Sequence, residues 1–405
     1  MAGEWTETTW GGIATLEYGK ALRAYSDVVA RARVYGTNGP VGWHTEPLWP
    51  APGVIIGRKG AYRGVHYSTV PYWVIDTAYS LQPKRGVRMD MRWSYYQIRH
   101  LDPNTIDDGS PIPSTTRPAF YAQPILLPPF EEQERIAELL GSLDNKIELN
   151  RRMAETLEAM ARALFKSWFI DFDPVHAKAE GHATGLPDDL AALFPDSFGE
   201  TGLPEGWRVS GLGALATLNP ESWTRGTLPE FINYVDLANT KWGVIEATQE
   251  FAKHDAPSRA QRVLRPGDTI VGTVRPGNGS YAYIAKEGLT GSTSFAALRP
   301  RSRDFATVVY FASTGKDNIT ALAQLADGAA YPAVRPDVVS DTPVNMPPNA
   351  TVLTAFNALA SPMLASIQER TEQSRTLSDL RDTLLPKLIS GELRIAEAEE
   401  RIAAA

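Results

Sequence analysis

The chain of 405 residues has no cysteine. Disulfides, thiolate metal sites and cysteine nucleophiles are excluded, and nothing calls for an oxidising compartment. It also lacks any apolar run near the roughly 18 residues that a membrane-crossing helix needs. Its start, Met1-Ala2-Gly3-Glu4-Trp5, has neither the basic residues nor the apolar core of a signal peptide. The expected setting is cytoplasmic, with no membrane. Catalytic signatures are missing too. The pairs Gly19-Lys20 and Gly315-Lys316 run into Ala21 and Asp317, not into the Ser or Thr of a phosphate-cradling loop. The glycines of residues 36–42 lack dinucleotide-binding spacing. No lysine follows a glutamate by two positions, as a Glu-x-Lys nuclease requires. Pro128-Pro129 and Pro347-Pro348 lack the leading Asp or Asn of an adenine-methyltransferase loop. His44, His66, His100, His176, His182 and His254 are scattered, with no helical His-x-x-x-His pair. The sequence therefore nominates no catalytic residue and no metal ligand.

What is present is ordinary globular composition, 43% hydrophobic and 21% charged. The length is enough for roughly two to four domains. The net charge of −7 is uneven: +3 over residues 1–128, −8 over 129–204, zero over 205–345 and −2 over 346–405. The acidic surplus sits in one segment, so the two longer segments can still carry basic loops.

The chain repeats itself. A Trp and glycines precede Ala14-Thr15-Leu16 and, again, Ala216-Thr217-Leu218 (Trp10-Gly11-Gly12 and Gly206-Trp207). Pro52-Gly53 and Pro266-Gly267 each open an apolar run that ends in a Gly-rich loop with basic residues. The stretch 109–113 answers 328–332, Arg117-Pro118 answers Arg335-Pro336 with a one-residue slip, and Pro128-Pro129 answers Pro347-Pro348. Each half reads as a strand-rich domain followed by a long helix. Strand-like runs include Tyr72–Tyr79, Trp93–Ile98, Thr269–Val271, Tyr281–Ile284 and Ser294–Leu298.

The first helical stretch, after Pro129, has acidic residues in its first turn, where the helix dipole favours them. Its apolar positions fall at alternating steps of four and three: Ile136, Leu140, Leu143, Ile147, Asn150, Ala154, Leu157, Ala161, Leu164, Trp168. That is a coiled-coil seam, with Asn150 as the polar position that fixes register. The last helix repeats the rhythm through Phe356, Ala360, Met363, Ile367, Arg370, Ser374, Leu377, Arg381, Leu384 and Leu388. Arg370 and Arg381 weaken this second seam, and Arg370 stands opposite Asn150 in the repeat. Ser361-Pro362 reads as a cap with Pro at the first helical position, dividing the helix into 351–360 and 362–390. Two matched helices in one chain most simply pair antiparallel; the alternative is that each packs only on its own domain. The boundaries are then 1–128 for the first domain, 129–171 for the central helix, 172–205 for a polar linker, 206–345 for the second domain and 346–405 for the C-terminal helix.

With no catalytic constellation, the candidates are for binding. Arg58, Lys59, Tyr62 and Arg63 form one loop; Thr273, Arg275, Asn278 and Tyr281 form its counterpart. Ser114, Thr115, Thr116 and Arg117 form a second cluster, matched by Arg335 and the neighbouring Tyr331. Arg and Asn grip base edges bidentately, and glycines let backbone approach phosphates.

The run Leu127-Pro128-Pro129-Phe130-Glu131-Glu132-Gln133-Glu134-Arg135-Ile136-Ala137, its continuation Leu143–Asn150, the stretch Phe165–Phe169 with Asp171–Val175, and Thr383–Leu393 resemble the specificity subunits of type I restriction–modification systems. The helical regions carry the resemblance strongly and the globular parts weakly. It implies an α+β fold: two strand-rich target-recognition domains in a pseudo-two-fold repeat, separated by two long antiparallel helices that form a coiled coil. It also implies that each domain binds half of a bipartite double-stranded DNA site and that the helices set the spacer. Two methyltransferase subunits would dock on the helices (Ile136, Leu140, Leu143, Ile147, Asn150, Leu157, Leu164, Phe356, Met363, Ile367, Leu377, Leu384), and motor–nuclease restriction subunits would join them. Those partners would carry S-adenosylmethionine, ATP and magnesium, and this chain no cofactor. The rival readings are a coiled-coil scaffold that reads no DNA, and a two-lobed hydrolase with an unrecognised site.

Overall fold

The structure is a computed structural model describing residues 5–106, 113–328 and 330–403. The chain forms two compact units, Met1–Arg151 with Glu372–Ala405, and Arg152–Thr371. Each holds one strand-rich domain and part of each long helix.

In the first unit β1 (Thr6–Thr9) pairs antiparallel with β9 (Pro124–Leu127). A four-stranded sheet runs β2 (Ala14–Tyr18), β8 (Ala78–Pro83), β5 (Gly53–Gly57), β6 (Val65–Ser68). A three-stranded sheet runs β4 (Gly39–His44), β3 (Ala32–Gly36), β7 (Tyr72–Val74), the last pair parallel. Trp10, Trp93 and Phe120 are buried together at the centre, Trp10 lying 5.4 Å from Phe120 and 6.4 Å from Trp93.

The second unit repeats this plan. The strand β10 (Arg208–Gly211) pairs with β21 (Pro343–Met346). Its four-stranded sheet runs β11 (Ala216–Leu218), β20 (Phe295–Pro300), β17 (Thr269–Gly272), β18 (Tyr281–Tyr283). The other large sheet runs β15 (Gln249–Ala252), β12 (Phe231–Val235), β19 (Leu289–Ser292), β16 (Ala260–Val263), with β12 and β19 parallel as β3 and β7 are. Beside that pattern the second unit adds β16 as a fourth strand of this sheet and a small hairpin, β13 (Thr240–Lys241) with β14 (Val244–Ile245). Two details of the sequence repeat are corrected. Trp10 donates its backbone N–H to Gln123, and Leu212 donates to Thr342 in the same place. Leu212 therefore answers Trp10, and Trp207 answers Trp5. The 109–113 match lies largely outside the described residues.

Three expectations about elements also change. The run Trp93–Ile98 is part of a helix, Met91–Leu101, capped by Asp90, whose carboxylate accepts from the Trp93 N–H at 2.7 Å. Its aromatic residues read as β-formers, but Trp93, Tyr96 and Gln97 recur at helical spacing and are all buried. The run Tyr72–Tyr79 is broken by a turn between β7 and β8. Residues 172–205 are not a free linker: they include the helix Asp173–Ala179, and Phe172, Val175 and Phe194 enter the second unit's core.

The central helix runs Phe130–Phe169 and the C-terminal helix Thr351–Ile389 without a break. Pro362 thus sits inside a helix despite its missing N–H. Burial on either side overrides it: Ala360 and Leu364 are both in the second unit's core. In that unit Phe356 meets Phe165, Trp168 and Phe169 of the central helix at centroid separations of 5.8, 6.0 and 5.3 Å. In the first unit Ile136, Leu140 and Leu143 pack with Leu384 and Leu388. Two of the polar seam positions find partners across the pair, while among the described residues Asn150 Oδ1 and Arg370 Nε are buried without one. Arg381 reaches Asp144 across the helix pair at 2.7 Å, and Tyr96 donates to the same carboxylate at 2.5 Å. Asn150 Nδ2 donates to Gln373 at 2.8 Å, so its partner is Gln373 and not Arg370. Ascending numbers on one helix meet descending numbers on the other, so the helices are antiparallel. Gly141 lies where Arg92 crosses: a Cβ there would fall 2.5 Å from the guanidinium carbon.

Arg381→Met is expected to destabilise the protein by about 2–4 kcal/mol, because it strands a half-buried carboxylate. Denaturant unfolding checks this. A double-mutant cycle with Asp144→Asn should recover much of the loss, and strict additivity would contradict the pairing.

Candidate nucleic-acid interface

The structure joins the two clusters that the sequence left apart. In the first domain the loop leaving β5 meets the segment returning to the helix Arg117–Tyr121. Thr115 N–H donates to the Arg58 carbonyl at 2.9 Å, and Gly60 N–H donates to Pro113 at 3.0 Å. In the second domain Val334 N–H donates to Thr273 at 2.9 Å, and Arg275 N–H donates to Pro332 at 2.7 Å. The same clasp is built twice, with Arg58 answering Thr273, Thr115 answering Val334 and Thr116 answering Arg335. The two Arg-Pro dipeptides are therefore offset: Pro336, not Arg335, occupies the position of Arg117. Thr116 caps its helix through a hydroxyl that accepts from Ala119 N–H, whereas Arg335 is exposed and pairs with Asp337 at 3.3 Å.

Four of the nominated side chains do not reach the surface. Arg63 is 2% exposed; its Nη2 donates to the Ile106 carbonyl at 3.3 Å. Thr115 is fully buried, as its counterpart Val334 nearly is. Thr273 is buried with its hydroxyl on the Ser294 carbonyl at 2.9 Å, and Tyr281 lies in the second unit's core near Tyr310. These four brace the loops from below. Their neighbours Arg58, Lys59, Tyr62, Ser114, Thr116 and Arg117, and Arg275, Asn278, Tyr331 and Arg335, are exposed or half-buried.

In the first domain the exposed group is organised around Tyr18, which the sequence reading did not nominate. The Arg117 guanidinium lies 4.0 Å from the Tyr18 ring centroid and that of Arg58 5.1 Å. Arg58 also donates to the Asp76 carbonyl at 3.0 Å. Burial, with Tyr18 alongside, pushes the Tyr79 phenol up to about 12, so it stays neutral. Two arginines held against an exposed ring keep their outer N–H groups free for carbonyl, imine or phosphate oxygen and nitrogen acceptors. The second domain does this differently. Arg275 adopts a left-handed backbone (φ 47°), donates to the Ala330 carbonyl at 2.9 Å and lies 5.1 Å from the ring of exposed Tyr331. Trp242, also unforeseen, stands exposed beside Gly279. Tyr18 and Trp242 lie outside the loops in sequence, and only the strand pairing brings them there.

The seam residues nominated for partner docking are turned inward. Ile136, Leu140, Leu143, Asn150, Phe356 and Leu384 are buried, and Ile147, Leu157, Leu164, Met363, Ile367 and Leu377 are half-buried. The outward apolar residues of the central helix are Leu149, Met153 and Met160. Among the described residues no group of three or more His, Asp or Glu side chains could hold a metal ion, and no helix is long and apolar enough to cross a membrane.

A duplicated loop platform on paired sheets, with arginines stacked on exposed rings, has the chemistry that a DNA-reading subunit needs. The comparisons agree with that class. Residues 4–159 match the family described as the type I restriction modification DNA specificity domain. The chain is 24% identical to the type I restriction enzyme HindI specificity subunit of Haemophilus influenzae over 66% of this chain and 68% of that protein. It is also 24% identical to the MjaIX specificity subunit of Methanocaldococcus jannaschii over 96% of this chain and 88% of that one. The crystal structure of a type I restriction–modification S subunit from M. genitalium shares the fold, with a TM-score of 0.64, 14% identity, and 95% and 96% of the two chains covered. Residues 4–159 thus match a DNA specificity domain, and along most of its length the chain is similar to type I restriction–modification specificity subunits, whose fold it shares.

Tyr18→Ala is expected to weaken duplex binding about ten-fold through the loss of its hold on Arg58 and Arg117, at little cost in stability because the ring is half exposed. Lys59→Ala should weaken all duplexes alike and lower the slope of log K against log salt by about one. Titrations at several salt concentrations separate the two effects.

Proposed function

We propose that each strand-rich domain reads one half of a bipartite, gapped duplex site. The observation that carries this is the clasp built twice on the same sheet plan but dressed with different side chains. Equivalent scaffolds with unlike surfaces suit two unlike half-sites. The helices set the spacing between halves. Methyltransferase subunits dock on their outward faces, where Leu149, Met153 and Met160 are exposed, and restriction subunits join that complex. The chain itself is non-catalytic. S-adenosylmethionine, ATP and magnesium belong to the partners, whose residues do the methyl transfer and cleavage. The acidic segment 129–204 suits protein docking better than phosphate contact, and the partners share the phosphate neutralisation that a chain of net charge −7 does not supply alone.

The test is co-expression with the methyltransferase encoded beside it, in a host without adenine methylation, followed by single-molecule mapping of modified adenines. A gapped motif that appears only with both chains is the expected result; a stable complex with no methylation favours a scaffold. Arg58→Ala with Lys59→Ala should relax one half of the motif only, and equal damage to both halves would contradict two independent readers. Deleting one heptad from each helix should change the spacer or abolish assembly; an active complex with the original spacer would refute the ruler.

A further inference from the structure

The two halves differ sharply at one equivalent place. The Leu237 carbonyl accepts from Ser280 Oγ at 3.1 Å, as the Thr37 carbonyl accepts from the Gly64 N–H at 3.1 Å. The parallel pairs Val235–Gly291 and Tyr35–Val74 then make Asp236 the counterpart of Gly36, and Ser292 that of Ile75. In the first domain this place is filled: a Cβ on Gly36 would lie 3.3 Å from Ile75 Cδ1 and 3.5 Å from Val41 Cγ1. In the second domain it is a cavity of about 650 Å³, lined by Tyr234, Asp236, Arg259, Ser292, Ser294 and Tyr331 among others. It opens beside the clasped loops, since Val274 and Tyr331 also form its wall.

The polar groups in it are set for recognition. Asp236 Oδ1 accepts from the Asn239 backbone N–H at 2.9 Å and from Asn239 Nδ2 at 3.0 Å, which fixes the carboxylate and leaves Oδ2 to accept. Arg259 is exposed, and among the described residues its guanidinium has no ion-pair partner. A fixed carboxylate acceptor and a free guanidinium donor in one aromatic-walled cavity match a G·C pair: a carboxylate accepts from cytosine N4, and an arginine donates to guanine O6 and N7. We propose that Asp236 and Arg259 are specificity-determining residues that read a G·C pair in the half-site of the second domain. The first domain, closed by Ile75, has no such reader. This inference rests on the reading of each domain as a half-site reader.

The experiment selects duplexes from a library randomised in both half-sites, using the full chain in complex with its methyltransferase subunit. The wild-type complex should select a G·C pair at one position of one half. Asp236→Ala and Arg259→Ala should each lose about ten-fold or more of the discrimination at that position, with the other half unchanged as the internal measure of folding. Ser292→Ile, which builds the first domain's plug into the cavity, should do the same while keeping both charges. A wild-type gapped motif left intact by all three variants overturns this inference and spares the two-reader model. Uniform weakening of both halves also overturns it. Failure of the wild type to select any second half-site overturns the two-reader model and the inference with it.

Discussion

Two backbone hydrogen bonds, Thr115 N–H to the Arg58 carbonyl and Val334 N–H to the Thr273 carbonyl, tie loops that are more than fifty residues apart in sequence. The outward-facing side chains of these loops depend on that closure. Side chains on an untied Gly-rich loop would have to be ordered on binding, at a cost of about 1–2 kcal/mol per residue. The clasp meets that cost during folding. Because it is made by main-chain atoms, it does not care which side chains it carries: Arg58 can stand where Thr273 stands, and Thr116 where Arg335 stands. A scaffold fixed by backbone leaves the surface free to diverge.

The residues under the loops follow from the same closure. Thr115 and Val334 have similar shape and are both buried, one polar and one apolar, so the position is chosen for volume. The Thr115 hydroxyl finds no partner there, which is consistent with packing and not hydrogen bonding being its role. Arg63 is held by a carbonyl beneath the loop that Lys59 and Tyr62 crown. Cation and ring neighbours above the clasp, apolar and hydrogen-bonded fillers below it, divide one short motif into a reading layer and a supporting layer.

Much of this was legible in the sequence. The repeat, the 3.5-residue rhythm of the helices and the positions of both loops come from local patterns, and local patterns survive in one dimension. What was hidden needed the third. Buried Arg63 and exposed Lys59 sit in one basic loop with nothing in the sequence to separate them. Arg381 looks like a flaw in an apolar seam until Asp144 is seen opposite it. Pro362 carries a strong local stop signal that core packing overrides. Trp93–Ile98 is rich in strand-favouring residues, yet its buried side chains follow the helical period. Tyr18 could be connected with Arg117 only through the strand pairing that places them together. The Arg-Pro dipeptides show the converse hazard: identical letters at nearly the right offset occupy different structural positions.

The division of the chain bears on how it is made. The second unit, Arg152–Thr371, is one continuous stretch, whereas the first needs both Met1–Arg151 and Glu372–Ala405. The usual order of vectorial synthesis, in which the N-terminal domain completes first, is therefore reversed. The second unit has all its residues while the first still lacks Leu384 and Leu388, the partners of Ile136, Leu140 and Leu143. Until those arrive, the front of the nascent chain carries an uncovered apolar helix face. The first unit's core is completed only when the last helix has been made.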